Sequence, residues 1–310
     1  MRLIKQSFEI WNQSAGLEGV YKQIEKAGRV CYKSEDKITE DSAKPFVDRM
    51  VKSGHGAMLE HGTIYLEFHV KDLSEVGEEE YHSQQSELNK LISRYANNKY
   101  SIIKVNHYYD TVFITTNYRV LIENNWLKDL KYICEPTVFH EKRVCVHFIC
   151  DRGILAEFTR HRVFSFSAES TRYCNYSKDK FGNELTFIKP CWLDMLDTDE
   201  GREVTRNWNF DILDGCSIIA EEGEFDDARD AFLTSLNVAE HCYLELLQKS
   251  WTPQQARAVL PNSLKTELVM TGFVSDWKHF LELRCDSAAH PQARELAIPL
   301  REEFINNKYL

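Results

Sequence analysis

Residues 160–173 read RHRVFSFSAESTRY. Arg160, His161, Arg162 and Arg172 stand within this stretch, with Ser165, Ser167 and Ser170 between them. The chain around them is acidic, with a formal net charge of −10 over 310 residues. Guanidinium groups facing one cavity repel each other unless anions are bound there, and serines beside them supply short neutral donors. The planar fork of arginine suits bidentate contact with phosphate. The stretch therefore points to a phosphorylated ligand. RNA contact by the same residues is opposed by the acidic bulk, as is general binding to nucleic acid or anionic membranes.

The flanking sequence shows how the stretch is presented. VCVHFIC (144–150) alternates like a strand, and Asp151 is placed to cap a helix beginning RGILAEFTR. Ile154, Leu155 and Phe158 give that helix an apolar face, and its end delivers the chain to Arg160. Beyond the stretch, TFIKP reads as a short strand. Residues 226–249 form a helix with Phe232, Leu236, Ala239, Tyr243, Leu246 and Leu247 as its stripe. Thr252-Pro253-Gln254-Gln255 has the form of a capping box with proline at the first helical position. A further helix spans about 275–285, with Ser275 as its expected cap. Towards the N-terminus, helical spacing covers 15–30 and 42–53, and TIYLEFHV (63–70) is a strand. Residues 71–142 differ in character. A polar, charged loop feeds a solvent-exposed helix, with Glu78, Glu79 and Glu80 as a solvated face. TVFITT (111–116) is strand-like, and VLIENNWLKDLKYI returns to helical spacing. No Pro/Gly/Ser linker marks a boundary, so 71–142 reads as an insertion within one domain spanning 1–310.

A hydrophobic fraction of 43% and a charged fraction of 28% fit a folded chain with a sizeable core. The nine cysteines include no CxxC pair and no zinc spacing, as in a reduced intracellular protein. MRLIKQSFEIWNQ lacks the apolar centre of a signal peptide, and no apolar run is long enough for a membrane span. The expected location is the cytoplasm.

Two arginines outside the stretch raise the question of their partners. Trp277, Phe280 and Leu281 make an apolar helix face on which Arg284 is the next position. It meets either a carboxylate in a buried ion pair or a bound anion or polar ring. Arg257, in ARAVLP, follows the Thr252 cap; it is either an exposed surface residue or a phosphate ligand at a helix start. His55 and His61 lie in GHGAMLEHG, where H-x4-E-H lacks a third ligand, so no metal site is expected. Glu60 either orients the neighbouring ring or forms a buried pair. Cys191 has no placed base and reads as an ordinary core or surface residue. There is no nucleophile elbow, P-loop or GxGxxG. Cationic ligand-holding groups without a nucleophile suit an enzyme whose cofactor carries the difficult chemistry.

Arg160-His161-Arg162, seven residues and then Ser170 resembles the motif of the flavin-dependent thymidylate synthases. GHGAMLEHGTIYLEFHV resembles that family's early histidine block. ARAVLP followed by HFLELRCDSAAHPQAREL resembles its C-terminal block. The resemblance implies a mixed sheet flanked by helices in the family's own α/β (α+β type) fold. It implies a homotetramer whose active sites draw on several subunits. The implied reaction makes dTMP from dUMP with carbon from methylenetetrahydrofolate and a hydride from FAD, itself reduced by NAD(P)H, without an enzyme cysteine nucleophile. By the same resemblance, His55, Ala57, Arg160, His161, Arg162, Ala168, Phe273, Ser275 and His279 would hold FAD. Glu157, Arg160, Ala168, Ser170, Arg172, Arg257 and Arg284 would hold dUMP, with Arg284 polarising the uracil. The sequence departs from the family at Ser167 (usually Asn), Ala168 (often Glu), Ala57 (Ser or Thr), Phe273 (Asn) and Cys31 (Ser). Phe273 would exchange a hydrogen bond for ring stacking. Two alternatives are a diverged NAD(P)H-oxidising flavoprotein without methylation activity and a non-catalytic nucleotide-binding tetramer. Retention of Arg257 and Arg284 speaks against the first of them, and a colourless purified protein would point to the second.

Overall fold

Runs of β-branched and aromatic residues become strands here, and amphipathic runs become helices that cover them. The computed structural model describes residues 1–106, 108, 110–178, 182, 184–193, 211–213, 217–219 and 228–310. The strands are β1 (Arg2–Ile4), β2 (Ser7–Trp11), β3 (Thr63–His69), β4 (Ile102–Asn106), β5 (Thr111–Asn117), β6 (Arg143–Asp151), β7 (Ser165–Ala168), β8 (Thr186–Ile188), β9 (Asp211–Leu213), β10 (Ser217–Ile219) and β11 (Lys265–Phe273). The helices are α1 (Gly16–Tyr32), α2 (Ala43–Ser53), α3 (Gly56–Leu59), α4 (Glu78–Ala96), α5 (Tyr118–Glu123), α6 (Arg152–Phe158), α7 (Ala228–Gln248), α8 (Pro253–Ala256), α9 (Val274–Arg284) and α10 (Pro291–Asn306). The α/β mixture expected from the sequence is present, carried by several sheets. The chain divides into two compact units, each made of discontinuous segments.

The first unit comprises Met1–Gln6, Cys150–Ile154 and Ser170–Thr266. In it β1 and β8 pair in parallel, from Arg2 opposite Thr186 to Ile4 opposite Ile188. Leu236 and Tyr243 of α7 share a core with Cys174, Tyr176, Leu185, Phe187 and Leu264. The buried side of α7 runs through Leu233, Leu236, Glu240 and Tyr243. It therefore includes a carboxylate the expected stripe omitted. Glu240 is drawn inwards because it accepts the Leu185 N–H at 2.6 Å.

The second unit comprises Ser7–Ile149, Leu155–Glu169 and Glu267–Leu310. The segment 71–142 lies wholly within it and contributes part of its core. β5 is the central strand of an antiparallel sheet ordered β3-β5-β4, and every one of its residues is buried. α4 exposes Glu78, Glu79 and Glu80 as expected, yet it buries Leu88, Leu91 and Tyr95. These join Val20, Ile24, Phe46, Ile64, Leu66 and Ile114 in one cluster. The helix expected over 120–133 is two pieces. α5 ends at Glu123, Asn125 takes a left-handed φ of 57°, and a 3-10 turn covers Leu127–Tyr132. Asparagine tolerates that conformation, which apolar periodicity does not register.

A second sheet is ordered β2-β6-β11-β7. β2 runs antiparallel to β6, and β7 antiparallel to β11 with Ser165 opposite Thr271 and Ala168 opposite Leu268. Gly272 on β11 is required by a close approach. A Cβ there would stand 2.5 Å from the Phe164 ring. This sheet carries the RHR motif into β7 and, through β11, starts α9.

Candidate active site

The cap expected at Asp151 is present, its Oδ1 accepting the Ile154 N–H at 2.7 Å. α6 ends at Phe158, and the motif follows as consecutive tight turns. The Arg160 N–H reaches the Glu157 carbonyl at 3.3 Å, and the His161 N–H reaches the Phe158 carbonyl at 3.1 Å. Across from it, α9 delivers Arg284. Its Nη1 donates to Glu157 Oε2 at 2.7 Å, its Nη2 to the Glu157 carbonyl at 2.9 Å and its Nε to His161 Nε2 at 3.0 Å. Arg284 thus has the carboxylate partner that its position on the helix calls for. A guanidinium has five N–H donors, so two remain for another acceptor. Because His161 Nε2 accepts, the neutral ring carries its proton on Nδ1. Burial first, then the charges of Arg284 and His279, lowers the His161 pKa to about 4. The ring edge rests on Phe280 at 4.9 Å, which fixes its plane.

Arg160, Arg162, Ala57, Ser275 and His279 are otherwise exposed or outside this knot of bonds. Arg160 and Arg162 form no ion pair among the described residues. His55, at the start of α3, is exposed and shares a 3.3 Å hydrogen bond with the Tyr32 hydroxyl. No hydrogen bond or ion pair among the described residues joins His55, Ala57, Phe273 or Ser275 to the Glu157–His161–Arg284 cluster.

Several expectations are corrected. Ser275 does not cap α9, whose N-cap is Phe273. The third helical residue, Asp276, accepts the Phe273 N–H at 3.2 Å and takes over that task. Ser165 and Ser167 are not donors among the arginines of the motif. The pleat of β7 turns both inwards, where Ser165 Oγ accepts from Arg143 at 3.3 Å and Ser167 Oγ donates to the Ala27 carbonyl at 2.7 Å. Ser167, which departs from the family pattern, therefore ties β7 to α1. Glu60 pairs with Arg119 at 2.6 Å, whereas His61 bonds the Thr271 hydroxyl at 2.8 Å. Phe273 stands 5.6 Å from the Arg143 guanidinium carbon, a cation–π distance.

Ser170, Arg172 and Arg257 belong to the first unit. The Thr252 cap is realised by Gln255 Oε1, which accepts the Thr252 N–H at 2.9 Å. α8 has only four residues, and Arg257 is its C-cap. Arg257 therefore stands at the end of α8, away from the free N–H groups of its start. Its side chain instead donates to Thr171 Oγ1 at 3.3 Å. It lines a cavity of about 450 Å³ with Arg152, Thr171, Gln254, Ala258 and Leu260. Nothing in the sequence beyond its place after a cap singles out Arg152. Arg172 is exposed, with its guanidinium carbon 5.7 Å from the Tyr173 ring. In the second unit, burial pushes the Cys134 and Cys145 thiols up to about 11. Among the described residues no group of three or more His, Cys, Asp or Glu is placed to hold a metal, and no helix is long and apolar enough to cross a membrane.

Depressed histidines set a pH dependence. His61, fully buried, falls to about 3 chiefly through desolvation, and His161 to about 4. Unfolded imidazoles titrate near 6.5. Between that value and about 4 the unfolded chain binds more protons, so stability falls as pH falls through this window. Urea midpoints measured from pH 7 to 4 are expected to decline, and less steeply in His161→Gln, whose amide oxygen still accepts from Arg284. Identical slopes in the two proteins would remove His161 from the account.

The cluster fixes one guanidinium between a carboxylate, a backbone carbonyl and a neutral imidazole. Residues 111–307, well over half of the chain, match the family described as "Thymidylate synthase complementing protein". The chain belongs to that family. The match takes in 111–142 and leaves the histidine block at 55–69 outside it. Among curated relatives, the flavin-dependent thymidylate synthase of Synechocystis sp. is 27% identical over 172 residues, covering 55% of this chain and 70% of that protein. That of Corynebacterium glutamicum is 29% identical over 151 residues, 47% of this chain and 51% of its own. That of Corynebacterium aurimucosum is 30% identical over 147 residues, covering 47% and 51%. The match thus spans about half the length of the two Corynebacterium relatives. The crystal structure of a UMP/dUMP methylase PolB from Streptomyces cacaoi bound with 5-Br dUMP aligns over 99% of this chain and 93% of that one. Its sequence identity is 17% and its TM-score 0.39, too loose an overlay to transfer residue roles.

Proposed function

We propose that this protein reductively methylates dUMP to dTMP, taking carbon from methylenetetrahydrofolate, with FAD reduced by NAD(P)H. The observation that carries the proposal is Arg284, fixed by Glu157 and His161 with two N–H donors to spare. A guanidinium held rigidly in place can meet negative charge developing on a uracil without reorganising, which is the main electrostatic contribution open to a protein here. Glu157 positions Arg284, and neutral His161 offers Nδ1–H as a further donor. The residues also fit FAD. Arg160 and Arg162 are exposed cations without an ion-pair partner among the described residues, the donor set a pyrophosphate requires. His55 and His279 would supply ring N–H donors. FAD, when bound, supplies the hydride. Arg257 and Arg172 would hold the nucleotide. A homotetramer in the cytoplasm completes the proposal. Val163, two-thirds exposed immediately after the RHR triplet, is an apolar side chain that a second copy would cover.

The test is anaerobic: protein, FAD, NADPH, dUMP and methylenetetrahydrofolate, with dTMP followed by mass spectrometry and FAD omitted in the control. FAD-dependent dTMP is the expected result. Flavin reduction without dTMP would replace the proposal with the NAD(P)H-oxidising flavoprotein. A protein that binds dUMP yet retains no flavin would replace it with a non-catalytic binder.

A further inference from the structure

We propose that Arg152 is a second phosphate-binding residue, forming with Arg257 a two-arginine clamp for the 5′-phosphate of the nucleotide. The resemblance assigns Arg257 and is silent on Arg152. Both residues line the cavity of about 450 Å³ in the first unit. Neither has a carboxylate within ion-pair distance among the described residues, and the one side-chain bond of the pair is from Arg257 to Thr171 Oγ1 at 3.3 Å. Among the described residues no acidic side chain lines the cavity. Two guanidinium groups on one cavity without a carboxylate between them repel each other, and a dianion between them reverses the sign of that interaction. Each guanidinium presents a planar pair of donors matched to phosphate oxygens. Gln254 and Thr171, whose hydroxyl accepts from Arg257 and still has its own O–H to donate, line the same cavity.

The backbone holds Arg152 in place independently of any ligand. Its N–H donates to the Asn262 carbonyl at 2.9 Å, and the residue opens α6 directly after the Asp151 cap. The Arg152 side chain makes no hydrogen bond or ion pair among the described residues, so its replacement is expected to leave folding intact. The clamp rests on the proposed function only in naming the phosphate as that of dUMP. The cavity's preference for a dianion stands without it.

The experiment compares full-length wild type, Arg152→Gln and Arg152→Lys by calorimetric titration with dUMP, deoxyuridine and inorganic phosphate. Arg152→Gln is expected to weaken dUMP about 10- to 100-fold, the range for charge-assisted hydrogen bonds, while deoxyuridine is unaffected. In turnover the loss falls on KM for dUMP, with kcat nearly unchanged. Equal dUMP affinity in wild type and Arg152→Gln overturns the clamp. If wild type binds dUMP no better than deoxyuridine but binds inorganic phosphate in an Arg152-dependent way, the clamp stands and the nucleotide assignment falls. Absence of phosphate and dUMP binding in wild type overturns both. Should Arg152→Gln fail to fold, Arg152→Lys decides: it keeps the charge and loses the fork, so undiminished dUMP binding overturns the bidentate clamp.

Discussion

Arg284→Ala is expected to cut dTMP formation by about 10²–10³-fold or more, the loss typical of removing one preorganised electrostatic donor, while FAD remains bound. Two consequences follow from the observed bonds. Glu157 loses its guanidinium partner, but its side chain is partly exposed, at 31%, so water takes up the freed carboxylate and the fold survives. His161 loses both the N–H donated to its Nε2 and a neighbouring positive charge that helps to depress its pKa. Its pKa is therefore expected to rise from about 4 back towards the ordinary histidine value. An NMR titration of the ring reads this directly and is independent of turnover. Arg284→Lys is expected to be nearly as inactive. A single ammonium cannot serve Glu157 Oε2, the Glu157 carbonyl and His161 Nε2 in one plane and still present two outward donors. Near-normal turnover in Arg284→Ala, with bound flavin verified by its absorbance, would refute the role assigned to this residue.

The arginine at the end of α9 shows how far sequence alone reaches. Its position after Trp277, Phe280 and Leu281 announces that a partner is needed. Only the fold shows that the partner is Glu157, 127 residues earlier, with His161 beside it. Local chemistry was legible wherever it is settled within one turn of chain, as at Asp151 and the Thr252–Gln255 cap. It was misread at Ser275, because two acceptors, Ser275 and Asp276, stand within reach of one helix start and propensity does not choose between them. The hydroxyls of RHRVFSFSAES were legible as polar but not as inward. Which way a strand's pleat faces is set by its partner, and β7 is oriented by its register on β11. β11 itself carries no alternation, since Thr266 to Gly272 are all buried, and a fully buried strand loses the period-2 signal. Within 71–142, the charge of α4 was legible as solvent exposure, but not the one face on which it buries Leu88, Leu91 and Tyr95.

The same helix that delivers Arg284 is held down by one residue, and its loss is the second large effect. Trp277 is fully buried on α9, and its indole N–H donates to the Val144 carbonyl on β6 at 3.0 Å. Around it stand Phe164 at 4.6 Å, Phe280 at 5.3 Å, Phe304 at 5.5 Å and Phe148 at 6.3 Å between ring centroids, the first two edge-on. Trp277→Ala removes the ring, opens a cavity that these neighbours cannot all collapse into, and leaves the Val144 carbonyl without this donor. The expected cost is about 3–5 kcal/mol, seen as a fall in the urea midpoint with little change in slope. Trp277→Phe keeps most of the packing and loses the hydrogen bond, so a smaller loss is expected. The effect reaches the site through Phe280. It touches Trp277 on one side and the His161 ring at 4.9 Å on the other. In whatever Trp277→Ala protein remains folded, loosening of α9 is expected to lower kcat as well as stability, whereas Phe304→Ala, on the far side of the cluster from His161, should cost stability alone. If Trp277→Ala loses stability while the folded fraction retains full turnover, α9 is not positioned by this packing, and the bonds from Arg284 to Glu157 and His161 alone hold the guanidinium in place.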